Sequence, residues 1–331
     1  MTESPRMWAL VMAGGRGTRF WPLSRKALPK QCLALGPGRT LLQEAVARLS
    51  PVIPPDRVLV VTGPDMEDAV RRQLPGVPWQ NVLIEPQARN TAPCIGWGAV
   101  EVARRSGDDA MLAVLPSDHV ISRPGRFLDA LVCAARAASR HQLIATLGIQ
   151  PDRAETGFGY LELGASVGGG PARRVRRFTE KPDATTAEAW ASGGTHLWNA
   201  GMFVFPVGVM REAFAVHLPR SAAALERIRA DPGAVGASWG ELDATSIDYG
   251  IMERLDSLLT VPCDIGWSDV GTWGAVAGLL PEAPGGRGLA RHIVARDATG
   301  CVVHAPAKVV ALLGVEDIVL VDTPDAMLVM S

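Results

Sequence analysis

Apolar runs of strand length alternate with helix-length stretches along the first half of the chain. The strand-like runs are WALVMA, VLVVT, NVLIE, AMLAVLP and LIATLGI, and a helical stretch separates each from the next. Apolar strands without polar alternation, joined by helices, are typical of a mostly parallel sheet covered on both faces. The pattern therefore predicts an α/β fold that binds its ligands at the carboxyl ends of the strands.

The pattern changes after residue 150. Shorter strands are predicted at residues 159–163, 173–179 and 197–205, followed by a long helical stretch from residue 207 to about residue 229. Glycines indicate loops in AWASGGTHLW and ADPGAVGASWG, and PEAPGGRG reads as a linker. The remaining residues form short β runs, so we expect a catalytic domain at 1–282 and a small β domain at 283–331.

Composition limits the class of protein. A chain of 331 residues that is 47% hydrophobic exceeds one typical domain. The 33 basic and 34 acidic residues give a net charge of −1, which argues against nucleic acid or an anionic membrane surface as the main partner. The five cysteines are widely spaced and include no CxxC, which argues against a disulfide framework or a zinc site. With no signal-like apolar core near the start and no run approaching ~20 apolar residues, we expect a cytoplasmic protein.

A glycine-rich turn follows the first apolar strand, in LVMAGGRGTRFWPLSRKALPK at residues 10–30. Glycines at 14, 15 and 17 can adopt positive φ, which lets backbone N–H groups approach an anion. Thr18 adds a hydroxyl and Arg19 a forked donor. Other basic side chains follow, at Arg16, Arg25, Lys26 and Lys30. The segment predicts a polyphosphate-binding loop, and the alternative is a tight turn with solvated arginines.

Two commoner phosphate-binding patterns do not fit this turn. The P-loop pattern fails because no Gly-Lys-Ser/Thr closes the segment. The dinucleotide pattern fails because Phe20 stands where a third glycine is needed. A Rossmann dehydrogenase is therefore excluded.

Two acidic segments are candidates for a metal site. Asp118 in LPSDH directly follows a buried strand, and its carboxylate suits a hard cation that would screen phosphates. The alternative is a helix cap or a turn. In DIGWSDVGTW the candidate is Asp269, with Asp264 as a competitor, while Ser268 or Asp269 could instead cap the next helix. His119 is expected to orient its neighbours or to lie in the core, since no second histidine stands at metal-binding spacing.

Three further segments carry polar groups at strand ends. Glu180 and Lys181 in FTEKPD would clamp a sugar phosphate, or form an exposed ion pair. Asn199 could read hydroxyls or shape a turn. In EPQARNTAPCIG, Glu85 ends a strand, Thr91 is a plausible helix cap, and Arg89 and Asn90 could face a nucleotide.

In their order along the chain, these segments resemble the sugar-1-phosphate nucleotidyltransferases, and within that family the mannose-1-phosphate guanylyltransferases. The landmarks are GGRGTRFWPLSRKALPKQ, EPQARNTAPCI, LPSDHVI, TGFGYLELG, FTEKPD, WNAGMFVF, SIDYGIME and DIGWSDVGTW. Each motif is weak alone, but the ordered set is specific and covers almost the whole chain. The resemblance implies a Rossmann-like catalytic domain followed by a small left-handed β-helix that often helps to form a homodimer. The added isomerase domain of the bifunctional members is absent, so isomerase activity is not expected.

The reaction implied by the resemblance transfers GMP from GTP to mannose 1-phosphate. Asp118 and Asp269 would hold Mg²⁺, Lys181 would hold the sugar phosphate, Arg19 would stabilise the departing pyrophosphate, and Lys30 would act at the α-phosphate. The residues implied to contact GTP are Ala13, Gly14, Gly15, Gly17, Thr18, Arg19, Lys30, Glu85, Arg89, Asn90, Ser117 and Asp118. Those implied to bind the sugar phosphate are Gly159, Glu180, Lys181 and Asn199.

Two other functions stay open on the sequence. One is a sister transferase with another sugar or base, such as a heptose 1-phosphate guanylyltransferase or a thymidylyl- or uridylyltransferase. The other is a nucleotide-sugar-binding regulatory subunit without catalytic activity. Loss of Arg19, Asp118 or Asp269 would indicate the second, and all three residues are present.

Overall fold

The computed structural model describes residues 6–15, 20–26, 28–35 and 38–331. The predicted phosphate-loop residues Arg16, Gly17, Thr18 and Arg19 lie outside these ranges. The chain divides into two compact units. Unit 1 comprises Met1–Gly14, Val46–Pro116 and Ile121–Trp267, and unit 2 comprises Gly15–Ala45, Ser117–Val120 and Ser268–Ser331.

Strands and short helices alternate through most of the described chain. The strands are β1 (Met7–Met12), β2 (Val58–Thr62), β3 (Val82–Ile84), β4 (Met111–Pro116), β5 (Val120–Ile121), β6 (Ala145–Ile149), β7 (Gly159–Ser166), β8 (Arg173–Glu180), β9 (His196–Pro206), β10 (Leu258–Pro262), β11 (Trp267–Ser268), β12 (Glu282–Ala283), β13 (Gly286–Arg296), β14 (Cys301–Leu313), β15 (Val319–Asp322) and β16 (Met327–Met330). The α-helices are α1 (Leu41–Ala47), α2 (Glu67–Gln73), α3 (Thr91–Ser106), α4 (Pro124–His141), α5 (Ala184–Ser192), α6 (Val207–His217), α7 (Pro219–Ala230), α8 (Val235–Ser238), α9 (Ile247–Gly250) and α10 (Trp273–Ala277).

Unit 1 is built on a nine-stranded sheet in the order β3-β2-β1-β4-β9-β6-β10-β8-β7. The pairs β3–β2, β2–β1, β1–β4 and β6–β10 are parallel. Strand β9 lies antiparallel between β4 and β6, and β7 and β8 extend the sheet antiparallel at one end. The predicted α/β class is confirmed, in a mixed sheet whose parallel strands β1, β2 and β4 are apolar and largely buried.

Three local predictions in unit 1 are wrong. The long helix from residue 207 is two helices, because Pro219 lacks an N–H group and disfavours α conformation at Leu218, which has φ −136°. The segment 189–198, predicted as a loop, contains the end of α5 and the start of β9. The segment 230–240, also predicted as a loop, contains α8 between two 3₁₀ turns.

The C-terminal part of unit 2 is a five-stranded sheet, β12-β13-β14-β15-β16. Strands β13, β14 and β15 pair in parallel with only short connections, as the successive turns of a β-helix do. The predicted small β domain is therefore confirmed. The predicted linker PEAPGGRG is wrong, because Ala283 pairs with Gly286 in a hairpin whose turn places Gly285 at φ +79°. The predicted domain boundary between residues 282 and 283 stays a prediction.

Residues near the start of the chain pack with residues near its end inside unit 2. Phe20 and Trp273 meet edge to face, with ring centroids 5.3 Å apart. Leu33 and Leu35 are buried in the same apolar cluster as Val302 and Val321. Arg25 donates two hydrogen bonds to the carboxylate of Asp325, at 2.8 and 2.7 Å. Arg25, which follows the glycine turn, is thus engaged within the protein.

Candidate active site

A buried lysine organises the acidic site of unit 2. Lys30 opens a 3₁₀ turn directly after Pro29, and its side chain lies over the ring of Phe20 at 5.7 Å. Its Nζ donates to Asp118 Oδ2 at 2.8 Å and to the backbone carbonyl of Asp269 at 2.5 Å. One ammonium group therefore joins the two segments that the sequence singled out as metal candidates.

The environment of Asp118 keeps its carboxyl group ionised. Burial alone would raise the pKa of Asp118, but the charges of His119 and Lys30 and the hydrogen bond from Lys30 lower it below its ordinary value. His119 Nε2 lies 4.0 Å from Asp118 Oδ1, which fits the predicted orienting role. No helix begins at Asp118, so the helix-cap alternative for this residue is excluded.

Asp269 lies in a tight turn before α10. Its Oδ1 accepts a hydrogen bond from Gly271 N at 3.2 Å, and Ser268 Oγ accepts one from Val270 N at 3.1 Å. Val270 has φ +47°, which is an unfavourable conformation for a β-branched residue. The cap of α10 is Thr272, whose hydroxyl accepts from Ala275 N, so the alternative that Ser268 or Asp269 caps the helix is wrong.

Asp264, the alternative candidate for the metal site, belongs to unit 1 and is ion-paired there. Its Oδ2 accepts hydrogen bonds from Arg123 and from Arg126, the latter at 2.9 Å. The carboxylate is two-thirds exposed. Because its carboxylate is exposed and ion-paired, Asp264 can serve as a control residue for Asp118 and Asp269.

The donor set of Asp118 and Asp269 suits a hard divalent cation. Both side chains offer carboxylate oxygens, and Mg²⁺ in proteins commonly takes only one or two carboxylates together with substrate phosphates. No group of three or more His, Cys, Asp or Glu side chains that could form an all-protein metal site occurs in the part of the chain that the structure describes. The carboxylates of Asp118 and Asp269 therefore fit a hard divalent cation.

The glycine segment begins as predicted, directly after β1. Ala13 N donates to Val61 O at 2.8 Å, and Thr62 Oγ1 donates to Ala13 O at 3.1 Å. Gly14 and Gly15 do not have positive φ, so the expected reason for these two glycines is wrong. A Cβ at Gly14 would lie 3.5 Å from Glu85 Oε2, an ordinary van der Waals distance, so Gly14 lies beside the Glu85 carboxylate.

Ser117 and Gly15, two predicted GTP contacts, belong to unit 2. Ser117 is buried directly after β4. Gly15 O accepts a hydrogen bond from Gln31 Nε2 at 2.9 Å. The carbonyl of the glycine turn is thereby tied to the same 3₁₀ turn that carries Lys30.

Glu85 is a buried acid at the end of β3. Its backbone N–H donates to Thr62 O, and its side chain is 5% exposed. Its Oε1 has no hydrogen-bond partner among the residues that the structure describes. Burial raises the pKa of Glu85 from 4.5 to about 7. A buried carboxyl group with an unused acceptor is a candidate for binding donor groups of a ligand.

The residues after Glu85 have structural partners. Arg89 Nη1 donates to Leu242 O at 2.5 Å. Asn90, at φ +71°, caps α3 by accepting from Thr91 N at 2.9 Å. The predicted cap, Thr91, is wrong, because its hydroxyl instead accepts from Ile247 N at 2.9 Å. Nucleotide contacts by Arg89 and Asn90 stay predictions.

The four residues predicted to bind the sugar phosphate lie close together in unit 1, and we call them the sugar-phosphate cluster. Lys181 Nζ donates to Glu180 Oε1 at 2.7 Å. A Cβ at Gly159 would lie 2.5 Å from Glu180 Oε2 and 3.4 Å from the Cβ of Asn199. Gly159, Glu180 and Asn199 thus meet at one place, with Lys181 attached through Glu180.

The sequence reasoning missed Asp248, which joins this sugar-phosphate cluster. Asn199 Nδ2 donates to Asp248 Oδ1 at 3.1 Å. Burial, and next the negative charge of Glu180, raise the pKa of Asp248 from 3.8 to about 7. The motif SIDYGIME contained Asp248, but only the fold shows that this residue faces Asn199.

Three turns that carry predicted site residues contain a non-glycine residue with positive φ. These residues are Asn90 at +71°, Lys181 at +52° and Val270 at +47°. Such conformations cost on the order of 1–3 kcal/mol and concentrate at functional sites. All three turns were predicted from the sequence to bind substrate or metal.

Comparison with known proteins identifies the class: the chain belongs to the nucleotidyl transferase family, whose profile matches residues 8–280. A second profile, the MannoseP isomerase/GMP-like beta-helix domain, matches residues 291–331.

Two related proteins and one solved structure match nearly the whole chain. The xanthan biosynthesis protein XanB of Xanthomonas campestris pv. campestris (strain B100) is 37% identical over 97% of this chain and 69% of its own length. Mannose-1-phosphate guanylyltransferase 2 of Escherichia coli O157:H7 is 35% identical over 99% of this chain and 71% of its own length. A solved structure from Thermus thermophilus, described as mannose-1-phosphate geranyltransferase, is 36% identical with a TM-score of 0.89, covering 98% of this chain and 95% of that one.

None of the helices in the described ranges has the length and the apolar character that a membrane span requires.

Proposed function

We propose that this protein transfers GMP from GTP to α-D-mannose 1-phosphate, giving GDP-mannose and diphosphate. The observation that carries the proposal is the match, over nearly the whole chain, to relatives named mannose-1-phosphate guanylyltransferase. The acidic site of unit 2 and the sugar-phosphate cluster of unit 1 supply residue types that this reaction needs. The proposed mechanism uses these two sites.

In the reaction, a phosphate oxygen of the sugar attacks the α-phosphorus of GTP. A new P–O bond forms, the bond from the α-phosphorus to the α,β-bridging oxygen breaks, and diphosphate leaves with that bond's electron pair. The attacking oxygen is already ionised, so no protein base is needed. Both reactants are anions, however, and each pair of like charges at ~4 Å costs about 4 kcal/mol at an effective dielectric near 20.

Cations of the protein and a divalent metal offset this repulsion. Asp118 and Asp269 would hold the metal, Mg²⁺ in this proposal, which supplies positive charge to the phosphates when bound. Lys30 holds Asp118 and the Asp269 turn in place through its two hydrogen bonds. Arg19 would stabilise charge on the departing diphosphate, together with the amides at Gly14, Gly15, Gly17 and Thr18. Catalysis is then alignment and electrostatic stabilisation.

Guanine recognition is assigned to Glu85. The N1–H and the amino group of guanine are adjacent donors, and an ionised carboxylate accepts from both. Glu85 supports this role because it is buried beside Gly14 with one oxygen unused among the described residues. Arg89 and Asn90 would lie by the ribose or the base.

Sugar recognition is assigned to the sugar-phosphate cluster. Glu180 and Asn199 would bind mannose hydroxyls and Lys181 the phosphate. The observation that supports this is the close packing at Gly159, where a Cβ would lie 2.5 Å from Glu180 Oε2 and 3.4 Å from the Cβ of Asn199, so that a glycine lets these two side chains lie together. The proposal also includes action in the cytoplasm as a homodimer.

The test is diphosphate release over a grid of nucleoside triphosphates against sugar 1-phosphates, with and without Mg²⁺. The highest turnover is expected for GTP with mannose 1-phosphate and only with the metal. A different best pair would indicate a sister transferase, and no release with any pair would indicate a protein that binds without catalysis.

A further inference from the structure

Asn199 lies in an irregular part of the pairing between β6 and β9. The register shifts between Thr146 and Gly148 on β6, and Gly201 has φ +66° on β9. The side-chain Oδ1 of Asn199 accepts a hydrogen bond from Gly201 N at 3.2 Å. Part of the role of Asn199 is therefore structural, since this bond stabilises the bulge.

The orientation of the Asn199 amide follows from its partners. A backbone N–H can only donate, so the side-chain atom that faces Gly201 N must be the oxygen. The hydroxyl of Thr146 donates to the same Oδ1 at 2.8 Å, and its one proton is shared with Met202 O at 3.0 Å. The two lone pairs of Oδ1 are thereby used inside the protein.

One N–H group of the Asn199 side-chain amide remains for a ligand. Nδ2 carries two hydrogens, and one is donated to Asp248 Oδ1 at 3.1 Å. The second has no acceptor among the described residues, and Asn199 packs beside Gly159, where a Cβ would lie 3.4 Å from the Cβ of Asn199. Asn199 can therefore offer a sugar hydroxyl one donor and no acceptor.

We propose that Thr146 is the positioning residue that fixes Asn199 as a donor to one hydroxyl of the bound sugar 1-phosphate, an inference that rests on the proposed function. Thr146 itself is fully buried and does not reach the ligand. Its hydroxyl acts as a second donor to the Asn199 oxygen beside Gly201 N, so that this oxygen is not left to accept from the sugar. The sugar-phosphate cluster then recognises a sugar hydroxyl that accepts a hydrogen bond from Asn199 Nδ2. A sugar that lacks this hydroxyl loses the contact.

The chain offers a matched control for this proposal. Thr260 pairs with Thr146 in register on the adjacent strand β10, and both side chains are 0% exposed. The hydroxyl of Thr260 has no hydrogen-bond partner among the described residues. Thr146→Val and Thr260→Val therefore make the same change at paired, fully buried positions, and only the first removes the hydrogen bonds to Asn199 and to Met202 O.

The experiment compares wild type, Thr146→Val, Thr146→Ser and Thr260→Val, using the sugar 1-phosphate that turns over fastest and its single-deoxy analogues. We expect Thr146→Val to raise KM for the sugar phosphate roughly 3- to 10-fold with KM for GTP unchanged, as loss of one hydrogen bond would. Thr146→Ser and Thr260→Val should match wild type. Wild type should discriminate against one deoxy analogue, and Thr146→Val should discriminate against it less.

Two results would overturn the inference while leaving the proposed function intact. One is Thr146→Val behaving as Thr260→Val does, and the other is an equal rise of KM for both substrates in Thr146→Val, which indicates general distortion. Wild type that turned over no sugar 1-phosphate would instead overturn the proposed function, and the inference with it.

Discussion

Lys30 Nζ lies 2.8 Å from Asp118 Oδ2, although 88 residues separate them in the sequence. The same nitrogen donates to the carbonyl of Asp269. A buried lysine thus fixes the spacing of the two acids that the proposal assigns to the metal. Lys30 contacts the side chain of Asp118 but only the backbone of Asp269. Substitution of Asp269 therefore tests the metal assignment without removing a contact of Lys30, whereas substitution of Asp118 removes one.

Asp118→Asn and Asp269→Asn should each lower kcat by roughly 100-fold or more, since each removes a negative charge from the proposed metal site. Diphosphate release at several Mg²⁺ concentrations measures this. Asp264→Asn is the control, because Asp264 is exposed and ion-paired with Arg123 and Arg126. Near-normal turnover in either site variant contradicts the metal assignment.

The two variants should differ in stability. Asp118→Asn leaves the buried ammonium of Lys30 without its anionic partner, and we expect a loss of about 1–3 kcal/mol in the free energy of unfolding. Asp269→Asn keeps the carbonyl that Lys30 uses and should lose less. Urea unfolding of both proteins checks the order, and equal losses would show that the Lys30 contact is not stabilising.

Glu85→Gln should reduce the preference for GTP over ATP, because an amide cannot accept from both guanine donors as a carboxylate does. In wild type, KM for GTP should fall as the pH rises through about 7, where Glu85 ionises. The variant should lack this pH dependence. Steady-state kinetics from about pH 5.5 to about pH 8.5 measure it across the range in which Glu85 titrates, and identical KM profiles for the two proteins would remove Glu85 from the base site.

The same pKa predicts an effect on stability. The pKa of Glu85 is raised to about 7 in the folded protein from an ordinary 4.5, so the folded state binds the proton more tightly than the unfolded state does. Its contribution is fully present below about pH 4.5 and is lost as the pH rises to about 7. The loss amounts to at most about 3.4 kcal/mol at about 1.36 kcal/mol per pKa unit. Unfolding measured at about pH 5 and about pH 8 should show this loss in wild type and not in Glu85→Gln.

Gly159→Ala should raise KM for mannose 1-phosphate by roughly 10-fold, because the new Cβ would displace a group that positions the sugar. That Cβ would lie 2.5 Å from Glu180 Oε2 and 3.0 Å from Phe178 Cζ, so the Glu180 carboxylate must move. KM for GTP should stay constant. Gly170→Ala is the control, because no heavy atom lies within 4 Å of a Cβ at that position. Unchanged sugar kinetics in Gly159→Ala would place sugar binding elsewhere.

Asn90→Gly separates the observed role of Asn90 as the cap of α3 from its predicted contact with the nucleotide. Glycine tolerates φ +71° and costs only a few tenths of a kcal/mol as a helix cap, so stability should stay close to wild type. If the side chain also contacts the nucleotide, as predicted, KM for GTP should rise roughly 3- to 10-fold. A thermal melt and a GTP titration give the two readings. An unchanged KM would leave Asn90 as a cap alone.

The sequence was most informative about residues that follow strands. Glu85, Asp118 and Glu180 all lie at or next to the end of a strand, as predicted, because strand patterning and chain breaks are local signals. Local signals were also available where predictions failed. Pro219 marks the break between α6 and α7, and the Pro-Gly dipeptide at 284–285 marks the hairpin that was read as a linker.

Other features depended on contacts between distant residues. Nothing near Thr146 in the sequence indicates that its hydroxyl meets Asn199, and nothing near Asp248 indicates its burial. The same holds for Lys30, which the sequence assigned to phosphate and the structure pairs with Asp118. These contacts arise from the order of strands in the sheet and from the packing of unit 2, which a single sequence does not encode locally.

The ion pair of Arg25 with Asp325, inside unit 2, has a consequence for how the protein is made. A ribosome releases residue 25 long before residue 325, and Phe20, Leu33 and Leu35 share their apolar cluster with residues from Val270 onward. Until that C-terminal stretch emerges, these side chains lack their native neighbours. The apolar core of unit 2 can therefore be completed only late in synthesis.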